Sequence, residues 1–370
     1  MKPLALVLVL LVACTPRGTI TMDPRAGDVG DVRSVFVGTT RAVDPATGTF
    51  GGERTETAAF ARYDVSVPPD RAPGEINWPP RRGPADPATD FLTTAAIVHP
   101  DARTFRADLA RALAQEGVGE RDAVVFVHGF NNTYSEGLYR IAQLAHDLDL
   151  PGAVVHYSWP SAGNPLGYVY DADSALFARD GLEVLLNQVA DAGAKRIFLV
   201  AHSMGSALTM ETLRQIAIRN DKALMARIGG VILISPDLDV DVFHAQATMI
   251  GKLPDPFLIF GSNRDRILQL SAGLTGKTER LGNLSEIARL ADLKVTFMEV
   301  GAFSSGAGHF TAATSPALLQ LLGRMVEVNA AFVSDQKGRT DLLSGAVLTV
   351  QNATEIILLP VTAIAGEIAN

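Results

Sequence analysis

Arg196-Ile197-Phe198-Leu199-Val200-Ala201-His202-Ser203-Met204-Gly205 decides how this chain folds. Its apolar run is the pattern of a strand covered on both faces. Residues 205–219 then have helical spacing, so a serine stands on the turn between a central strand and a helix. A turn that sharp needs small residues two before and two after its apex, and Ala201 and Gly205 meet the need. The helix opening at Met204 adds positive potential beside the hydroxyl. Ser203 is the candidate nucleophile.

Working outward, similar apolar runs recur at Ala123–Val127, Ala153–Tyr157, Val231–Ile234, Phe257–Phe260 and Val295–Val300. Helical spacing lies between them at Phe105–Gln115, Glu136–Leu148 and Ser174–Ala190, and Ser315-Pro316 opens a last helix. Strands alternating with helices of roughly ten or more residues imply right-handed βαβ units and a mostly parallel sheet. Ligands bind such sheets at the carboxyl ends of the strands. Before Pro100 the pattern differs, with short strand candidates at Val32–Val37, Arg62–Val67 and Thr93–Val98 between Gly-, Pro- and Asp-rich loops.

With a strand–serine–helix turn of this kind, the chain order of a triad is serine, acid, histidine. Only His244 and His309 follow Ser203. His309 comes after the last strand in a glycine- and serine-rich loop that can swing back over the nucleophile, so it is the expected base. Asp265 follows strand 257–260 and is the expected acid, able to hold the imidazole tautomer; Asp237 is the alternative, with Asp239 beside it. His128-Gly129-Phe130 follows strand 123–127, where the backbone N–H of Phe130 can join that of Met204 in an oxyanion hole. Losing one such donor typically costs about 3 kcal/mol in the barrier. His128 is expected to brace this loop. Trp159, Tyr168 and Tyr170 either wall an acyl pocket or pack the loop that carries them. No two of the 7 histidines have metal-site spacing with a carboxylate partner, so neither metal nor cofactor is expected.

The 370 residues are 47% hydrophobic with a net charge of −8, which supports a sizeable core and argues against a nucleic-acid partner. Lys2 followed by the apolar run Leu4–Ala13 is too short to span a bilayer and reads as a signal-peptide core. It ends in Leu11-Val12-Ala13-Cys14, which resembles a bacterial lipobox, and Cys14 is the 1 cysteine of the chain. The expected organisation is a signal peptide over 1–13, a lipidated Cys14 opening a tether over 14–31, a catalytic domain over 32–335, and an apolar tail over 336–370 packing on it. The expected location is the bacterial cell envelope, anchored to a membrane through the N-terminal lipid.

Val127-His128-Gly129-Phe130-Asn131, Ser158-Trp159-Pro160-Ser161, Ala201-His202-Ser203-Met204-Gly205, Ser235-Pro236-Asp237-Leu238-Asp239 and the early Phe36-Val37-Gly38-Thr39-Thr40-Arg41 together resemble one bacterial family. It is an esterase/lipase-superfamily group long catalogued as a domain of unknown function. The resemblance implies an α/β-hydrolase fold and a serine hydrolase with the triad Ser203, Asp265 and His309, but no settled substrate. A small acyl ester cleaved through an acyl-enzyme is the expected chemistry, at an open cleft. The alternatives are a catalytically silent lipid-anchored binding protein on the same fold, or an acyltransferase.

Overall fold

Val125 and Val127 of β4 (Asp122–Val127) pack on one face of a central sheet and Phe126 on the other, the period-two alternation of a strand buried on both sides. In β5 (Ala153–Ser158), Val155 and Tyr157 likewise face one way and Val154 the other. The computed structural model describes residues 17–46, 48–115, 121–274, 276, 279–303, 315 and 345–358. The remaining described strands are β1 (Asp31–Val43), β2 (Phe50–Val67), β3 (Leu92–His99), β6 (Arg196–His202), β7 (Ile228–Ile234), β8 (Phe257–Gly261), β9 (Thr296–Glu299), β10 (Gly345–Val350) and β11 (Ala353–Leu358). They form a single sheet in the order β10-β11-β9-β8-β7-β6-β4-β5-β1-β2-β3. From β11 to β1 every pairing is parallel. The antiparallel strands β2 and β3 extend one edge, and β10 the other.

The helices are α1 (Ala102–Gln115), α2 (Tyr134–Asp147), α3 (Tyr168–Phe177), α4 (Arg179–Asp191), α5 (Met204–Ile218), the single turn α6 (Lys222–Met225), α7 (Val240–Ile250) and α8 (Arg266–Leu274). One face of the sheet receives Phe105 and Leu109 of α1, Leu182 and Leu185 of α4, Leu208 and Leu213 of α5 and Phe243 of α7. The opposite face receives Leu138, Ile141 and Ala145 of α2. This is the α/β-hydrolase plan expected from the sequence: a mostly parallel sheet, helices on both faces and extra N-terminal strands.

Three expectations change. The stretch read as a tether is not loose where it is described. Met22 bridges to Thr93, Gly18 O accepts from Ser135 Oγ at 2.6 Å, and Asp23 caps a short 3-10 helix over Pro24–Asp28. The helix read over 174–190 is two helices that meet at Ala178, whose carbonyl accepts both Leu182 N–H at 3.1 Å and the buried Tyr157 hydroxyl at 2.6 Å. Residues 345–358, in the stretch read as an apolar tail, form the β10–β11 hairpin, and β11 pairs with β9 as a further parallel strand.

Candidate active site

Ser203 sits between β6 and α5 with φ 50° and ψ −123°, a left-handed conformation that costs a residue bearing a Cβ on the order of 1–3 kcal/mol. Neighbouring backbone holds it there. Ser203 N–H donates to Ile234 O at 2.9 Å, and Ser203 O accepts from Ser206 N–H at 2.9 Å and Asp237 N–H at 3.2 Å. Gly205 is required by space, since a Cβ there would lie 2.3 Å from His128 O and 2.6 Å from Val127 O. A Cβ on Gly129 would lie 2.9 Å from Ser203 Cβ. The loop after β4 therefore presses directly on the serine turn.

That loop is fixed one peptide group at a time. His128 O accepts from Trp159 Nε1 at 2.7 Å, and Asn132 Nδ2 donates to Gly129 O and Phe130 O at 3.2 and 2.9 Å. Asn131, itself at φ 57°, donates its N–H to Asp171 Oδ2 at 3.0 Å. Its carbonyl accepts from Arg17 Nη2 at 2.7 Å. Asn132 N–H donates to Ser161 Oγ at 3.1 Å, and Asn132 O accepts from Arg41 Nη2 at 2.9 Å. Among the described residues no group accepts the Phe130 N–H, and Met204 N–H opens α5, where a helix has no acceptor of its own. These two donors are the expected oxyanion pair.

Two buried charges anchor this arrangement. Arg41 is fully enclosed, and burial pulls its pKa down to about 10 against the opposing pull of Asp171. Its guanidinium also donates to Ser158 Oγ at 3.0 Å, Gly51 O at 2.7 Å and Ser161 O at 2.9 Å. Asp171 is equally enclosed and accepts from Ser161 Oγ at 2.5 Å and Ala162 N–H at 2.7 Å. Sequence reasoning gave neither residue a role, although both stand in segments it singled out.

His128 lies under the loop with Nδ1 2.9 Å from Gly129 O and Nε2 3.0 Å from Trp159 O. Burial, and then Arg41, hold its pKa well below the ordinary value, so the neutral ring donates to one of these carbonyls at a time. Trp159 stacks on it at 4.8 Å and has no exposed surface, so it braces the loop and walls no open cavity. Tyr170 is also turned away, with its hydroxyl donating to Gly52 O at 3.1 Å and Arg54 over its ring. Tyr168 alone of the three faces the site, in edge contact with Phe130 at 5.4 Å.

The acidic candidates separate by their partners. Asp237 is committed: Arg280 Nε ion-pairs with it at 3.1 Å, Ser271 Oγ donates at 2.6 Å and Tyr168 OH at 3.0 Å. Burial and then Asp237 push the Tyr168 phenol up to about 12. Asp239 caps α7 through Asp241 N–H and Val242 N–H. Asp265 is wholly buried after β8, and Ile267 N–H and Leu268 N–H both donate to its Oδ1, at 3.1 and 3.0 Å, which orients the carboxylate. Glu299, unremarked in the sequence, ends β9 nearby; it accepts from Gly301 N–H at 2.7 Å, and burial raises its pKa. His244, on α7, pairs with Asp292 at 2.7 Å at the surface. His309 and Cys14 lie outside the described residues. Among the described residues no group of 3 or more His, Cys, Asp or Glu side chains could hold a metal ion.

The chain belongs to the family described as alpha/beta hydrolase of unknown function (DUF900), whose model matches residues 101–325. No curated protein matches it. Among solved structures it is similar to a Thermus thermophilus protein at 14% identity over 59% of this chain and 91% of that one, with a TM-score of 0.36. It is also similar to esterase B from Lactobacillus rhamnosis, at 14% identity over 70% and 87% of the two chains and a TM-score of 0.37. A Pyrococcus furiosus esterase matches at 11% identity over 85% and 96%, with a TM-score of 0.37.

Proposed function

We propose that the protein is a serine acyl hydrolase that cleaves carboxylic esters through an acyl-enzyme on Ser203. The observation that carries this reading is the strained Ser203 turn, buried to 2% exposure, with a fully braced loop against it that leaves the Phe130 N–H pointing to no protein acceptor among the described residues. Strain of this kind persists only where surrounding structure enforces it.

In the proposed reaction, His309 takes the Ser203 proton as Oγ adds to the ester carbonyl. The oxyanion is held by the N–H groups of Phe130 and Met204. Asp265 accepts the second N–H of the imidazole and stabilises its cation. Collapse expels the alcohol, which takes the proton back from His309. Water then adds by the same route and releases the acid, with the serine hydroxyl restored. Asp265 is favoured over Asp237 because the latter already neutralises the buried Arg280.

A fluorophosphonate probe should label the wild-type chain and fail to label Ser203→Ala, with loss of ester hydrolysis on the order of 10⁴-fold or more. An unlabelled wild type would leave the silent binding protein as the better reading. Rapid labelling with turnover only on a non-water acceptor would favour acyl transfer. We further infer that residues 1–13 are cleaved and Cys14 is acylated, which anchors the protein in the cell envelope; the mass of the mature N-terminal peptide tests this. No described helix is long and apolar enough to cross a membrane.

A further inference from the structure

Large apolar side chains stand in water where the chain closes round Ser203. Leu166 and Val169, at the entry to α3, are 92% and 76% exposed, and Leu270 on α8 is 63% exposed with Ile267 beside it. The two groups adjoin, because the Tyr168 hydroxyl lies 2.8 Å from Ser271 Oγ, the neighbour of Leu270. Tyr168 also touches Phe130 and bonds Asp237, whose N–H meets Ser203 O, so the patch borders the nucleophile. Arg264 and Arg266 are exposed at its margin. Single exposed apolar residues are ordinary, but a cluster beside a site marks a docking surface.

The N-terminal chain reaches this same region. Arg17 is bound to Asn131 and Glu136, and a Cβ on Gly163 would lie 3.6 Å from its Nη2, which puts Arg17 beside the loop that carries Leu166. Two residues, Thr15 and Pro16, separate Arg17 from Cys14, three chain steps with a reach of at most about 10 Å. An acyl chain on Cys14 would therefore enter the bilayer beside the mouth of the site and turn the apolar rim toward it.

We propose that the rim formed by Leu166, Val169, Ile267 and Leu270 docks on an anionic phospholipid surface, so that Ser203 takes its acyl substrate from membrane lipid. The substrate part rests on the acyl-hydrolase reading; the docking part does not. Water adds across the acyl–oxygen bond of the lipid, releasing a fatty acid and the deacylated lipid alcohol.

The test compares the wild-type chain with L166E/V169E/L270E on phosphatidylglycerol–phosphatidylethanolamine vesicles and on dissolved p-nitrophenyl butyrate. Hydrolysis of vesicle lipid should fall at least about ten-fold while the dissolved ester is cleaved within about two-fold of wild type. Unchanged lipid hydrolysis, or equal loss on both substrates, overturns the proposal. If the wild type cleaves neither, the hydrolase reading fails on its own, and docking is read separately. A polarity-sensitive fluorophore on Leu166→Cys should then shift to the blue on adding vesicles and be quenched by brominated lipid. No shift overturns docking. A solution dimer that the triple variant converts to monomer would make the rim a contact between copies, and would likewise overturn it.

Discussion

Asp171 shows how one buried carboxylate can serve a reaction it does not touch. Its two oxygens collect the Asn131 N–H, the Ser161 hydroxyl and the Ala162 N–H. In the Asp171→Asn variant the amide would keep the shape but set a donor against at least one of these donors. An unsatisfied buried donor costs about 1–3 kcal/mol. The variant should therefore lose stability in that range, and as the loop shifts its kcat should fall about ten-fold with KM within about two-fold, because an oxyanion donor acts on the transition state alone. Steady-state kinetics with a dissolved ester check this. A rise in KM at unchanged kcat would show that Asp171 shapes ground-state binding instead.

At the scale of the element, α2 begins with a capping box. Thr133 Oγ receives Glu136 N–H at 3.4 Å, and Glu136 Oε2 receives Thr133 N–H at 2.9 Å. The same Glu136 ion-pairs with Arg17, so the start of α2 also ties down the N-terminal chain. Thr133→Ala should cost about 1 kcal/mol. For a chain of this size that lowers Tm by roughly 1–2 °C. Ester hydrolysis should change less than about two-fold, because Arg41 and Asp171 still hold the loop; calorimetry beside an activity assay separates the two effects. Element boundaries were the least legible part of the sequence for a related reason. The pattern over 174–190 is helical throughout and does not mark the junction at Ala178, where the carbonyl also takes the Tyr157 hydroxyl from a distant strand.

The whole molecule carries an acid sensitivity in its interior. His128 and His156 are both enclosed at the sheet, and burial pulls the His156 pKa down to about 3 and that of His128 well below its usual value. In the unfolded chain both take up protons below about pH 6.5, which the folded chain refuses, so stability is fully present above that pH and falls as the pH drops toward the folded values. Each histidine contributes a loss of about 2 kcal/mol between pH 7 and pH 5. Urea unfolding at the two pH values should show it, and His156→Gln should remove about half. A stability independent of pH over that range would contradict the buried, neutral state of these rings.

Read alone, the sequence determined what is local. Apolar runs marked β4 to β9, and the small residues around Ser203 marked the strand–serine–helix turn, because strand burial and turn geometry are written in residues a few positions apart. Family motifs extended this to the fold and to an ordered set of triad candidates. The tertiary structure alone decided which side chains brace the site. Arg41 reaches Ser161 across 120 positions and Arg17 reaches Asn131 across 114. Nothing in spacing or periodicity encodes such partners. Asp237 and Asp265 look alike in sequence, both following apolar strands; only burial beside Arg280, Ser271 and Tyr168 commits the first to a structural pairing. Charge pairing inside a protein is settled by which groups share a dry volume, and that volume exists only once the strands have assembled.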